Sequence, residues 1–121
     1  MIDWRTLPFA PASGVRLCLD SDVHAGQGKE IVFGEGKDAF RIVIFRAGGK
    51  LVAYHNCCPH FSLALNYEPD RFHVFDGDVL MCAHHVAMFR LEDGECFDGP
   101  CQGSRLTAIQ IVERSGELCV A

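Results

Sequence analysis

The sequence predicts an all-β chain, a single domain built from several hairpins. Three observations carry that expectation. Apolar residues come in short runs rich in β-branched and aromatic side chains, which suit a pleated, half-buried surface. Turn signals centred on glycine separate the runs, and the 121 residues include 12 glycines and 5 prolines. Helical spacing is confined to residues 20–25, where Ser21 or Asp22 can cap a single turn.

Residues 15–19 open the series and residues 30–33 follow, both short and apolar-rich. Gly26, Gln27 and Gly28 between them lack the strand-to-helix setting of a phosphate-binding loop, so they are expected to turn the chain. Phe40, Ile42, Val43, Ile44 and Phe45 lie in a continuous β-branched and aromatic run over 40–46. Gly48 and Gly49 turn that strand, and residues 51–54 return as its hairpin partner. Residues 72–75 and 79–81 repeat the pattern around Gly77, and residues 87–91 and 95–97 repeat it around Gly94. The last pair is 106–112 and 117–120, joined at Ser115 and Gly116. No linker, low-complexity tract or fixed-period repeat interrupts the series.

A chain of this length makes one domain that buries roughly two-thirds of its unfolded surface. Apolar residues are 49% and charged residues 22%, an ordinary globular balance that argues against disorder. The net charge of −5, with no lysine or arginine cluster, disfavours nucleic acid and anionic membranes as partners. No apolar stretch is long enough to span a bilayer. The first residues, with Asp3 and Arg5 and no following apolar run, do not resemble a secretory signal, so a cytoplasmic location is expected. Seven cysteines cannot all pair, and in a reducing compartment they more often bind metal or sit buried than form disulfides.

Two loops stand out, each directly after an expected strand. One holds Cys58-Pro59-His60 and the other Cys82-Ala83-His84-His85. A lone cysteine or histidine is usually structural, but two short-spaced Cys/His pairs at strand ends point to a metal. Thiolate plus imidazole suits zinc or iron–sulfur chemistry. Zinc fingers usually pair like with like, two cysteines about two to four residues apart and two histidines about three to five apart. Here each loop carries one of each. With the loops side by side, the cysteines can ligate one iron deep in the fold and the histidines a second, outer iron.

Cys58-x-His60 followed by Cys82-x-x-His85 resembles the ligand signature of Rieske [2Fe–2S] proteins. Leu65, Phe89, Gly94-Glu95 and Asp98-Gly99-Pro100 are similar to residues in and after the family's two loops, the last being the segment that covers the cluster. The likeness spans residues 41–120. It implies an antiparallel β-sandwich with a small cluster-binding subdomain, at about residues 55–100, made of two hairpin loops. It also implies one [2Fe–2S] cluster per chain, ligated by Cys58, His60, Cys82 and His85. Ser62 and Val86 stand where the family commonly has glycine, which lets the backbone approach the sulfides closely. Leu63 and Ala83 stand where high-potential members carry a disulfide-forming pair, so that bridge is absent. Cys18, Cys57, Cys96, Cys101 and Cys119 are expected as structural thiols. His84 is expected beside the ligands or at the surface, and His24, His55 and His73 are expected to be structural.

Two ferric ions, two sulfides and two thiolates sum to a neutral oxidised centre, whereas four thiolates would leave a dianion. An electron enters the neutral centre more easily, which places such clusters at about −150 to +300 mV against about −400 mV for all-cysteine ones. With no loop disulfide and few hydroxyls nearby (Ser62 is the one candidate, with Tyr67 left open), the low end is expected. No residue set suggests substrate chemistry. The resemblance therefore implies a one-electron carrier, the ferredoxin between a flavin-dependent reductase and the terminal oxygenase of a bacterial ring-hydroxylating system. The alternatives are a small subunit of an assimilatory nitrite reductase and a zinc-stabilised binding module.

Overall fold

The computed structural model describes residues 3–59, 64–66, 68, 70–75, 78–83, 87–99 and 101–121. Among them the strands run β1 (Arg16–Leu19), β2 (Gly28–Phe33), β3 (Phe40–Ala47), β4 (Lys50–His55), β5 (His73–Phe75), β6 (Val79–Met81), β7 (Met88–Arg90), β8 (Cys96–Asp98), β9 (Ile111–Arg114) and β10 (Glu117–Val120). They form sheets ordered β1-β10-β9, β2-β3-β4 and β5-β6-β7-β8, and every pairing is antiparallel. The all-β antiparallel architecture expected from the sequence is what the chain adopts. Among the described residues no helix is long and apolar enough to cross a membrane.

β3 is apolar on both faces, and that decides the layering. Successive side chains of a strand point to opposite sides. Phe40, Ile42 and Ile44 pack with Leu17, Leu118 and Val120 of β1 and β10. Val43 and Phe45 face the other way, into a core with Leu80 of β6, Phe89 of β7 and Cys96 of β8. The middle sheet thus separates two cores, and β4 divides likewise, Ala53 to the first and Tyr54 to the second. The β3–β4 hairpin closes at Gly48 and Gly49, with φ of +59° and +82° and Ala47 opposite Lys50. Positive φ at both central residues is what a two-residue turn matched to strand twist requires.

Three expectations shift. The turn over 20–25 is shorter, a single 3-10 turn at Asp20–Asp22, and the Asp22 carboxylate accepts from the Leu19 amide at 3.0 Å. Two further 3-10 turns, Trp4–Thr6 and Gly36–Asp38, lie outside 20–25, and the first places the buried Trp4 ring 5.6 Å from Phe40. Residues 106–112 do not form one strand, because β9 begins at Ile111. Leu106 and Ile109 are three residues apart and enter different cores, so the segment crosses from one to the other instead of alternating. It runs along β4 on the way: the His55 amide donates to Thr107 O at 2.9 Å and the Ile109 amide to Ala53 O at 2.9 Å.

Candidate metal centre

The first loop leaves β4 at His55. The Asn56 amide donates to Arg41 O at 2.8 Å and the Cys57 amide to His55 O at 2.8 Å, a tight turn that drives Cys58 inward. Cys58 is fully buried. A buried polar knot closes the loop at its base. Asn56 Oδ1 accepts from the Leu65 amide at 2.8 Å, while Asn56 Nδ2 donates to Glu30 Oε2 at 2.8 Å and to Asn66 Oδ1 at 2.9 Å. Asn66 Nδ2 donates to Glu68 O at 2.7 Å and to Glu30 Oε1 at 3.3 Å. The Glu30 side chain is only 3% exposed, and its charge is met by Arg41 at 3.3 Å. Buried amides and a buried carboxylate are tolerable only when their hydrogen-bonding capacity is filled in this way.

The second loop leaves β6 at Met81. The Cys82 amide donates to Ala87 O at 2.8 Å, which closes the loop into a hairpin with β7. The Ala83 amide donates to Leu65 O at 3.0 Å and so ties the second loop to the first. Leu65, fully buried, therefore has its amide held by Asn56 and its carbonyl by Ala83. Cys82 is as fully buried as Cys58, and both lie in the core that contains Leu80, Phe89 and Leu91. His60 and His85, with Ser62, Leu63, Tyr67, His84, Val86 and Pro100, lie outside the described residues.

A third segment lines the sulfurs. Cys101 Sγ lies 4.0 Å from Cys58 Sγ, and the Cys96 thiol donates to Asp98 O at 3.2 Å. Burial first, then the sulfurs of Cys96 and Cys58, pushes the Cys101 thiol up to about 12. Burial, with Cys58 second, also raises the half-buried Cys57. The segment is held against β4 by Tyr54, whose hydroxyl donates to Leu91 O at 2.6 Å. Gly94 permits that approach: its φ is +76°, and a Cβ there would stand 2.8 Å from the Tyr54 ring. Burial, then the Asp93 charge, pushes Tyr54 up to about 12.

Of the residues singled out in the sequence, the structure thus brings Cys58 and Cys82 into one core at the bases of two joined loops. It buries Cys18, Cys96 and Cys119 as structural thiols, as expected. His24 and His73 are exposed, and His55 stacks on Phe40 with ring centroids 4.5 Å apart. The Asn56–Asn66–Glu30 knot escaped the sequence reading, as did the contact of Cys101 with Cys58. Two asparagines flanking the Cys-x-His loop were a visible signal, but Glu30 lies on a distant strand and gave none.

The described half of the donor set fits an iron–sulfur cluster. A cysteine ligates as the thiolate, and two buried thiols on interlocked loops can offer two such charges to one iron away from water. A family model, the Rieske [2Fe-2S] domain, matches residues 13–113. A search among curated proteins returned no significant match. Among solved structures, a chain from the complex of reduced oxygenase and oxidized ferredoxin in carbazole 1,9a-dioxygenase is similar at 24% identity. The TM-score is 0.69, covering 88% of this chain and 91% of that one. The ferredoxin of carbazole 1,9a-dioxygenase from Nocardioides aromaticivorans IC177 is similar at 21% identity and a TM-score of 0.69, over 91% and 98% of the two chains. The Sphingomonas yanoikuyae B1 ferredoxin is similar at 20% identity and a TM-score of 0.66, over 88% and 96%. At these identities the likeness speaks to the fold.

Proposed function

This chain belongs to the Rieske [2Fe–2S] domain family, and on that premise we propose that it is a one-electron carrier, the ferredoxin component of a ring-hydroxylating oxygenase system. Domains of this family hold one [2Fe–2S] cluster. Its ligands in this reading are Cys58, His60, Cys82 and His85, within a cluster-binding subdomain at about residues 55–100. The observation that carries the proposal is the pair of fully buried cysteines at the bases of two loops joined through Leu65 and Ala83.

When bound, the cluster supplies a centre that takes up and returns one electron. The chain's own residues do the rest. Cys58 and Cys82 hold the inner end of the site among apolar neighbours, which keeps water from it. The Asn56–Asn66–Glu30 knot holds the first loop in one geometry, and the Ala83–Leu65 hydrogen bond fixes the second loop to it. A site fixed in this way needs little rearrangement when its charge changes by one.

The similar ferredoxin chains are matched over nearly their full length, which supports the carrier reading. One similar structure is a complex of ferredoxin with its oxygenase. By that likeness the electron acceptor here is a terminal oxygenase; the donor in this reading, as the family resemblance implies, is a flavin-dependent reductase. In this reading the carrier works in the cytoplasm, a reducing compartment in which thiols remain available as ligands.

Electron paramagnetic resonance on dithionite-reduced protein, with iron, zinc and sulfide analysis of the same sample, tests the reading. The expected result is an anisotropic signal with an average g below that of all-cysteine clusters, and two irons and two sulfides per chain. A silent spectrum with one zinc per chain would make the four side chains a structural clamp and end the electron-transfer reading.

A further inference from the structure

We propose that the Cys101 thiol donates a hydrogen bond to the sulfur of Cys58 and thereby raises the reduction potential of the centre; the inference rests on the cluster reading above. The geometry is a sulfur–sulfur separation of 4.0 Å between two buried side chains, a contact in which either sulfur can be the donor. Ligation removes that ambiguity. As a metal ligand Cys58 is a thiolate with no proton to give, so the S–H in the contact belongs to Cys101.

The neighbouring thiol leaves that proton free for Cys58. Cys96 spends its own S–H on the carbonyl of Asp98 at 3.2 Å, so it offers Cys101 only lone pairs. Between a neutral thiol and a thiolate as acceptors, the charged sulfur makes the stronger bond. Cys101 is also held in place by its backbone. The Gln102 amide donates to Gly99 O at 3.2 Å and the Ser104 amide to Cys101 O at 2.9 Å, forming a compact turn. Both backbone groups of Cys96 anchor it, through Ser104 O at 2.8 Å and the Gly103 amide at 3.1 Å. The thiol is thus presented to Cys58 from a pinned turn.

An added electron increases the negative charge on the ligand sulfurs. A donor aimed at Cys58 is therefore worth more in the reduced state than in the oxidised state, and the potential rises. A glycine-loop backbone or a side-chain hydroxyl is not needed for this contact; the chain uses a thiol.

Two measurements on holoprotein test the proposal. Reduced-minus-oxidised infrared difference spectra are recorded in the S–H stretching window, which other protein groups leave clear. The expected result is a band that moves to lower frequency on reduction, disappears in Cys101→Ser and persists in Cys57→Ser. The midpoint potential is expected to fall in Cys101→Val, by at most about tenfold in the one-electron reduction constant or about 59 mV. Cys101→Ser, which keeps a donor, is expected to restore most of that loss. With the cluster's resonance signal present, the proposal is overturned by the lack of a redox-sensitive S–H band in the wild type, by a band that survives Cys101→Ser, or by one that is lost in Cys57→Ser. It is overturned equally by an unchanged potential in Cys101→Val. Where the Cys101 variants do not assemble, the wild-type and Cys57→Ser spectra decide alone. A wild-type protein with no cluster signal would overturn the parent reading, and this proposal with it.

Discussion

On one face of β3, Phe40, Ile42 and Ile44 pack against Leu17, Leu118 and Val120; on the other, Val43 and Phe45 pack against Leu80, Phe89 and four cysteines. The first core is nearly pure hydrocarbon and aromatic, and it joins two sheets that carry none of the candidate ligands. The second holds Cys58, Cys82, Cys96 and Cys101 and is bordered by the buried amides of Asn56 and Asn66. One strand therefore serves as the floor of both. The difference teaches that stability and the candidate metal centre are assigned to opposite faces of the same sheet. The face with the site accepts polar groups that must be satisfied one by one.

If that division is right, damage to each core should have its own signature. The largest effect is expected from Cys82→Ser, which should abolish bound iron and the resonance signal while the circular dichroism of the sheets persists. Retention of a normal signal would remove Cys82 from the ligand set. Next, Ile44→Ala, in the other core, should lower unfolding free energy by about 2–5 kcal/mol through a cavity. Iron per folded molecule should stay unchanged, and chemical denaturation beside metal analysis reads both. Asn56→Ala lies between the two. It leaves the Leu65 amide and the Glu30 carboxylate short of a partner, each loss worth about 1–3 kcal/mol. Its clearest effect should be faster cluster loss to a chelator, because the loop base rather than the sheet is loosened.

The smallest effect concerns pH. Burial lowers the pKa of His55, so the folded chain prefers the neutral ring. The unfolded chain then binds more protons below about 6.5, the ordinary histidine value. Stability contributed by the neutral ring is whole above that pH and is lost as pH falls toward the lower folded value. His55→Phe, which can keep the stack on Phe40, should flatten this acid limb in denaturation midpoints measured across pH 4 to 8, about the window the shift implies. An unchanged limb would place the acid sensitivity elsewhere.

The sequence itself determined the strands and the candidate donors. The continuous β-branched and aromatic run at 40–46 and the glycine pair at 48–49 are local signals, and local signals survive without knowledge of the fold. The Cys-x-His and Cys-x-x-His spacings are local in the same sense, which is why all four candidate ligands were visible. Only the tertiary structure decided that β3 is buried on both faces, since a continuous apolar run does not say what covers either side. It also decided that residues 106–110 cross between the cores, which broke the alternation expected there. Glu30 beneath Asn56 and Cys101 beside Cys58 were decided in the same way. Each contact joins segments far apart in the chain, 26 and 43 residues respectively. Such pairs are set by how the sheets and loops come together, and hydrophobic period and ligand spacing carry no information about them.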